Sequence, residues 1–218
     1  MYEQGIHVVS TDEMTGIQAL EREFPTRRLK PGTVERMEFN YIRHGTCSLI
    51  AIWHVAMGKI VRPYLGLTRK EEDFAAHIKQ VIETDPNARW CFIVDQLNTH
   101  KSETLGRLVA QREGLDRVLG KKGRSGILKS MASCMKFLSD PQRRIRFVYI
   151  PKHTSPEGLN QIECWFSILV KRLLGRGNFT SISDLQQQIL DFIDYFKRLL
   201  AKPFHWKFEG FQEALQAR

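Results

Sequence analysis

Three acids stand where a metal site for phosphodiester chemistry would need them. Asp12 ends the run GIHVVSTD (5–12), Asp95 ends RWCFIVD (89–95), and Glu163 lies within LNQIECWFSILVKRLL (159–174). Two divalent cations held roughly 3.5–4 Å apart must be clamped by carboxylates that meet at one point. Magnesium takes hard oxygen ligands and keeps positions for water and phosphate, so a few acids from separate elements suffice. Each acid alone also has a plainer reading, since an Asp after a strand often forms a turn and a Glu on a helix is usually solvated.

What matters is whether the chain can bring them together. Residues 5–12 are rich in β-branched types and predict a short strand ending on Asp12. The stretch that follows is polar and basic and is broken by Pro25, Pro31 and Gly32, which predicts a loop or hairpin arm. Strand-like runs at 35–42, 46–56 and 59–65, the last two joined by Met57-Gly58, predict an antiparallel meander. Phe74, Ile78, Val81 and Ile82 recur at helical spacing within 69–84, and Asp85-Pro86-Asn87 ends that helix. The run 89–95 reads as a strand buried on both faces, followed by a helix near 101–113, a strand at 144–150, and helices at 157–174 and 182–200.

If the first strand and 89–95 are parallel neighbours, Asp12 and Asp95 emerge at one sheet edge. On the helix carrying the third acid, Leu159, Ile162, Phe166, Leu169 and Leu173 form an apolar stripe, and Asn160, Glu163, Ser167 and Lys171 line an adjacent polar face. The expected fold class is α/β, a mixed sheet flanked by helices, in a single domain over 1–218.

Composition narrows the partners. A net charge of +9 and a pI near 9.5 favour an anionic partner, for which nucleic acid is the usual candidate. No apolar run approaches the roughly 20 residues that cross a bilayer, and MYEQGIHVVSTDEM lacks the pattern of a signal peptide, so a cytoplasmic protein without membrane contact is expected. Cys47, Cys91, Cys134 and Cys164 are widely separated and form no zinc-binding spacing, which predicts buried reduced thiols. Trp53, Trp90 and Trp165 fall in apolar periodic runs and are assigned to the core.

Several strings resemble the insertion-sequence six-thirty and mariner branch of the DDE transposases. They are VSTDEMTGIQAL (9–20), YIRHGT (41–46), FIVDQLNTHKS (92–102), the run from YIPKHTSPEGLNQIECWF to SISDL (149–185), and AKPFHWKFEG (201–210). The similarity covers most of the chain. It implies a ribonuclease-H-like fold, with Asp12, Asp95 and Glu163 as the catalytic acids and ligands of two Mg2+ (or Mn2+) ions. It further implies cleavage of transposon-end DNA and strand transfer to a target, by a homodimer, in a bacterial cytoplasm at the nucleoid. In the family the second acid is followed by Asn and, shortly after, His; here Gln96, Asn98 and His100 follow Asp95. His100 either orients a ligand or phosphate or caps the next helix.

The chain departs from that pattern in two places. Asp95 and Glu163 are 163 − 95 = 68 positions apart, long for the family, and the excess falls in a basic segment at 110–143. Relatives also carry helix-turn-helix modules ahead of the catalytic domain, whereas Asp12 comes almost at once. The expectation is therefore a fragment, a remnant, or one product of a split frame partnered by a helix-turn-helix subunit.

Basic residues supply candidate DNA contacts. The 110–143 segment carries Arg117, Lys121, Lys122, Arg124, Lys129, Lys136 and Arg143, with Arg144 beside it, and its Gly-rich GKKGRSG (120–126) is a candidate hinge. Such density can follow a phosphate backbone without reading sequence, or simply be solvated. Arg27, Arg28 and Lys30 after the first strand, and Arg43 and His44 in YIRHGT, either flank DNA or form wet surface. Lys152 and His153 precede the third-acid helix, where a phosphate can dock, and Lys171 lies two turns beyond Glu163. The rival readings are an inactive transposase-derived DNA-binding or assembly protein and a stand-alone metal-dependent nuclease.

Overall fold

A computed structural model of the protein describes residues 5–24, 31–32, 40–151 and 160–204. Among these, five strands form one sheet in the order β3-β2-β1-β4-β5. The strands are β1 (Ile6–Arg22), β2 (Tyr41–His54), β3 (Lys59–Gly66), β4 (Arg89–Val94) and β5 (Ile145–Tyr149). β1 is antiparallel to β2, as β2 is to β3, while β1 is parallel to β4 and β4 to β5. The sheet is therefore mixed, as expected, and its antiparallel half is the meander read from the sequence.

Helices cover both faces. On one lie α1 (Glu71–Ile82), α2 (Glu103–Arg112) and α3 (Met131–Leu138), packed over Val9, Ile50, Ile52, Trp90, Phe92, Val94 and Phe147. On the other lie α4 (Gln161–Leu169), continued by a π-helical turn at Val170–Leu174, and α5 (Ile182–Leu199), over Leu49, Ala51, Trp53 and Ile60. Alternate residues of β1 and β2 thus feed two separate cores, whereas β4 and β5 feed the first alone. Trp53, Trp90 and Trp165 are all buried, in keeping with their apolar contexts.

Four expectations need correction. β1 does not stop at Asp12 but runs on to Arg22, pairing with β2 as far as Arg22↔Tyr41. A break in register between Met14 and Ile17 brackets Gly16, whose φ of +65° suits glycine, so a bulge keeps this acid- and glycine-bearing stretch in the sheet. Secondly, YIRHGT is strand, not turn: Tyr41–His54 is continuous, and the remainder of the expected 35–42 strand lies largely outside the described residues. Thirdly, Cys164 is exposed, although the other three thiols are buried.

The fourth concerns the basic segment at 110–143, which holds the candidate hinge. Leu119, Ile127, Leu128, Cys134, Phe137 and Leu138 join the core beneath α1 and α2. Its glycine-rich stretch is a closed turn rather than a hinge, with Lys121 N donating to Ser125 O at 3.1 Å, Gly123 N to Leu128 O at 3.0 Å, and Leu128 N to Leu119 O at 3.0 Å.

Candidate active site

The parallel register of β1 and β4 sets the first two acids level. The pairs run from Ile6↔Arg89 to Ser10↔Ile93, a constant offset of 89 − 6 = 83, and 12 + 83 = 95. Asp12 therefore stands opposite Asp95 just past the point where β4 ends at Val94. Adjacent residues of a strand point to opposite faces. Ser10 and Asp12 face α4, whereas Val9 and Glu13 face α1 and α2.

α4 is moored to this edge by buried polar contacts. Ser10 Oγ donates to Asn160 Oδ1 and accepts from Ile162 N at 3.1 Å, so an otherwise orphaned first-turn N–H is satisfied. Trp53 Nε1 donates to Gln161 Oε1 at 3.0 Å from the neighbouring strand. Asn160 Nδ2 reaches Asp12 Oδ2 at 3.4 Å, and its backbone carbonyl accepts from Glu163 N at 3.0 Å. Asn160 is thus a buried link between two of the acids rather than part of an outward polar face. Along that face Ser167 and Lys171 are exposed and Glu163 is half-buried.

The acids feel one another. Burial pushes Asp12 up to about 7, and the charges of Asp95 and Glu13 add to this against the Glu13 N–H and the His100 charge. Burial also raises Glu163, again with help from the Asp95 charge, while Asn160 opposes the rise. Half-burial acts against ionised Asp95, but the His100 and Leu97 donors and the charges of His100 and Lys101 outweigh it and hold this carboxyl below its usual range.

Asp95 owes that difference to His100, which the sequence left between two roles. The helix cap is not His100 but Ser102, whose hydroxyl accepts from Leu105 N at 3.3 Å. His100 occupies a 3-10 turn, Thr99–Lys101, and is fully buried against Phe74, with ring centroids 4.3 Å apart. Its Nδ1 is 2.6 Å from Asp95 Oδ1, and its Nε2 is 3.3 Å from Glu13 Oε1, an ion-pair distance off the hydrogen-bond line. Burial disfavours the charged ring, yet Asp95 and Glu13 push it up to about 9. Tyr149 Oη, from the end of β5, donates to His100 O at 2.8 Å and fixes the turn.

Sequence reasoning passed over Glu13 and Ser10. Glu13 directly follows Asp12 in the first strand run, and two successive acids there must face opposite ways; that alternation was the available signal.

The basic candidates disperse. Arg43 pairs with Leu20, eight residues beyond Asp12 along β1, or about 26 Å at the usual strand rise. His44 is beside Glu21 at 2.7 Å. Lys121, Lys122 and Arg124 are exposed, and Lys122 pairs with Glu103 at 2.8 Å. Arg143 and Arg144 serve the fold: the first binds Glu113 at 3.0 Å and lies over the Phe137 ring, and the second caps carbonyls of Ala88 and Arg112. Arg27, Arg28, Lys30, Lys152 and His153 lie outside the described residues.

The donor set suits a hard divalent cation. Asp12, Asp95 and Glu163 supply carboxylate oxygens, and their mutual repulsion is what a cation would relieve. Among the described residues no three His, Cys, Asp or Glu groups converge closely enough to hold an ion unaided. Magnesium commonly accepts one or two carboxylates and takes its remaining ligands from water and phosphate, so the site fits an ion that completes its shell with ligands from outside the protein.

No helix among the described residues is long and apolar enough to cross a membrane. No curated protein matches the chain. Among solved structures, the Mos1 mariner paired-end complex with Mn is 12% identical, with a TM-score of 0.51 over 86% of this chain and 48% of that one. A pre-cleavage Mos1 transpososome is 11% identical, with a TM-score of 0.52 over the same shares, 86% and 48%. At such identity the likeness carries the fold alone, which is the ribonuclease-H-like α/β arrangement expected from the sequence, and the chain spans about half the length of these structures. The family model described as DDE superfamily endonuclease matches residues 7–186, most of the sequence. The chain belongs to that family.

Proposed function

We propose that the protein is the catalytic domain of a DNA transposase, with Asp12, Asp95 and Glu163 as catalytic acids that hold two Mg2+ or Mn2+ ions. The observation that carries this reading is the shared offset of 83 residues, which sets Asp12 and Asp95 side by side beyond the end of β4. Family membership and the coupling of Glu163 to Asp95 support it. Bound ions of this kind activate a water or a 3′-hydroxyl and steady the leaving oxygen of an in-line displacement at phosphorus.

The chain's own residues divide the remaining work. Asp95 presents a carboxylate kept ionised by its neighbours, Asn160 orients Asp12, and Glu163 meets the substrate side from the first turn of α4. Water would serve as nucleophile in strand cleavage and a DNA 3′-end in joining. Element ends and target DNA are the partners, and Lys121, Lys122, Arg124 and Lys171 are assigned to backbone phosphates on the strength of their exposure. A homodimer would bring two ends together, and helix-turn-helix modules outside the matched domain would recognise their sequence.

Labelled duplex carrying the element end, incubated with Mg2+ or Mn2+, tests the reading. We expect metal-dependent nicking by the parent and loss of at least about 100-fold in Glu163→Gln and Asp95→Asn, with DNA binding retained. Binding without nicking by the parent would instead indicate a DNA-binding or assembly protein. Equal nicking of unrelated duplex would indicate a stand-alone nuclease.

A further inference from the structure

Glu13 is the least explained charge in the molecule. Its side chain is wholly buried, and among the described residues Oε2 has no hydrogen-bond partner and the nearest guanidinium nitrogen, Arg69 Nη1, is 3.8 Å away. A carboxylate taken out of water at such cost is retained only where its charge is used. Its near neighbours are the His100 ring, at 3.3 Å from Oε1, and the Thr99 hydroxyl, which donates to the same oxygen at 3.4 Å.

The other edge of that ring holds Asp95. His100 Nδ1 is 2.6 Å from Asp95 Oδ1, an ion-pair contact, and 3.4 Å from Asp95 O; Oδ1 accepts from Leu97 N at 3.0 Å. One oxygen of Asp95 is thereby engaged, and no described residue donates to the other. We propose that Glu13, acting through His100, is the positioning residue of the metal site: it locks the ring that pins Asp95 Oδ1 and so aims Oδ2 at the ion.

The placement follows from strand geometry. Asp12 and Glu13 occupy opposite faces of β1, so one strand delivers a ligand to one side of Asp95 and a brace to the other. Phe74 packs against the ring at a tilt of 37° and Tyr149 Oη fixes its backbone, which leaves the imidazole little freedom except between its two carboxylates. Carboxylate–histidine partners behind a metal ligand commonly contribute 10–100-fold in metal affinity.

The inference rests on Asp95 being a metal ligand, and the experiment separates the two claims. Mn2+ binding to the full chain without DNA is titrated by electron paramagnetic resonance in the parent, Asp95→Asn, Glu13→Gln and His100→Gln, with melting temperatures alongside. The expected result is about a tenfold or greater loss of Mn2+ affinity in Glu13→Gln and His100→Gln, a double variant no worse than either, and nicking recovered at raised Mn2+. Parent-like affinity in Glu13→Gln, with Asp95→Asn impaired, overturns the positioning role alone. Parent-like affinity in Asp95→Asn overturns the metal-ligand assignment and with it the role of Glu13. Should Glu13→Gln fail to fold, nuclear magnetic resonance of the parent decides: the His100 ring nitrogens, identified by their contact with Phe74, must shift on Mg2+ addition, and ring signals indifferent to Mg2+ overturn the proposal.

Discussion

Acid should destabilise this protein through one residue of α1, His77, as pH falls from about 6.5 towards 4. The ring is 1% exposed, and neither of its nitrogens has a hydrogen-bond partner among the described residues. Burial alone lowers it from 6.5 to about 4. Between those values the unfolded chain binds a proton that the folded chain refuses, so this contribution is fully present above about pH 6.5 and is lost as pH falls towards 4. The gap of 6.5 − 4 corresponds, at 1.36 kcal/mol for each pH unit, to about 3 kcal/mol. For a domain stabilised by roughly 5–15 kcal/mol that is a large share. Urea unfolding of the parent and His77→Leu from pH 7.5 to 4 gives the difference directly. The variant keeps the parallel loss from His54, which burial and the charges of His7 and Lys59 also lower to about 4. The stability gap between the two proteins should therefore widen in the variant's favour by about 3 kcal/mol across the range. Parallel curves would refute the argument, since they would mean that His77 finds a partner or water when protonated.

Three further outcomes follow from contacts described above. Asn160→Leu removes the link between Ser10 and Asp12, and should cost about 1–3 kcal/mol in urea unfolding while lowering nicking more than DNA binding; unchanged nicking would show that Asp12 needs no such brace. Gly58→Ala places a Cβ at φ +60° and 2.0 Å from the Lys202 backbone, and should lower stability by about 2–4 kcal/mol, read from the same unfolding curves. Replacing Lys121 and Arg124 together by Ala should reduce the slope of log affinity against log salt by about 2 if both lie on phosphates, whereas an unchanged slope places the DNA elsewhere.

Asp12 and Asp95 were legible because each follows a β-branched or apolar run whose period requires a strand, and the parallel pairing of those strands was a short step. The continuation of β1 was not, since Asp12, Glu13, Thr15 and Gly16 carry the chemistry of a loop, and only pairing with β2 across a bulge keeps them extended. Glu13 was passed over for a related reason: the partner that makes its burial tolerable, His100, is 100 − 13 = 87 positions away. The basic character of 110–143 likewise hid its apolar residues, whose spacing fits no single helix because short 3-10 turns interrupt it before α3.

The alternation of Asp12 and Glu13 makes the length of β1 a matter of parity. Deleting one residue between Ile6 and Thr11, with pairing to β4 preserved, would carry Glu13 to the face now held by Asp12 and leave a different side chain against His100. Such a chain would keep its composition, its hydropathy and very nearly its fold, yet exchange ligand for brace. Length variation in this strand should therefore be tolerated only in steps of two.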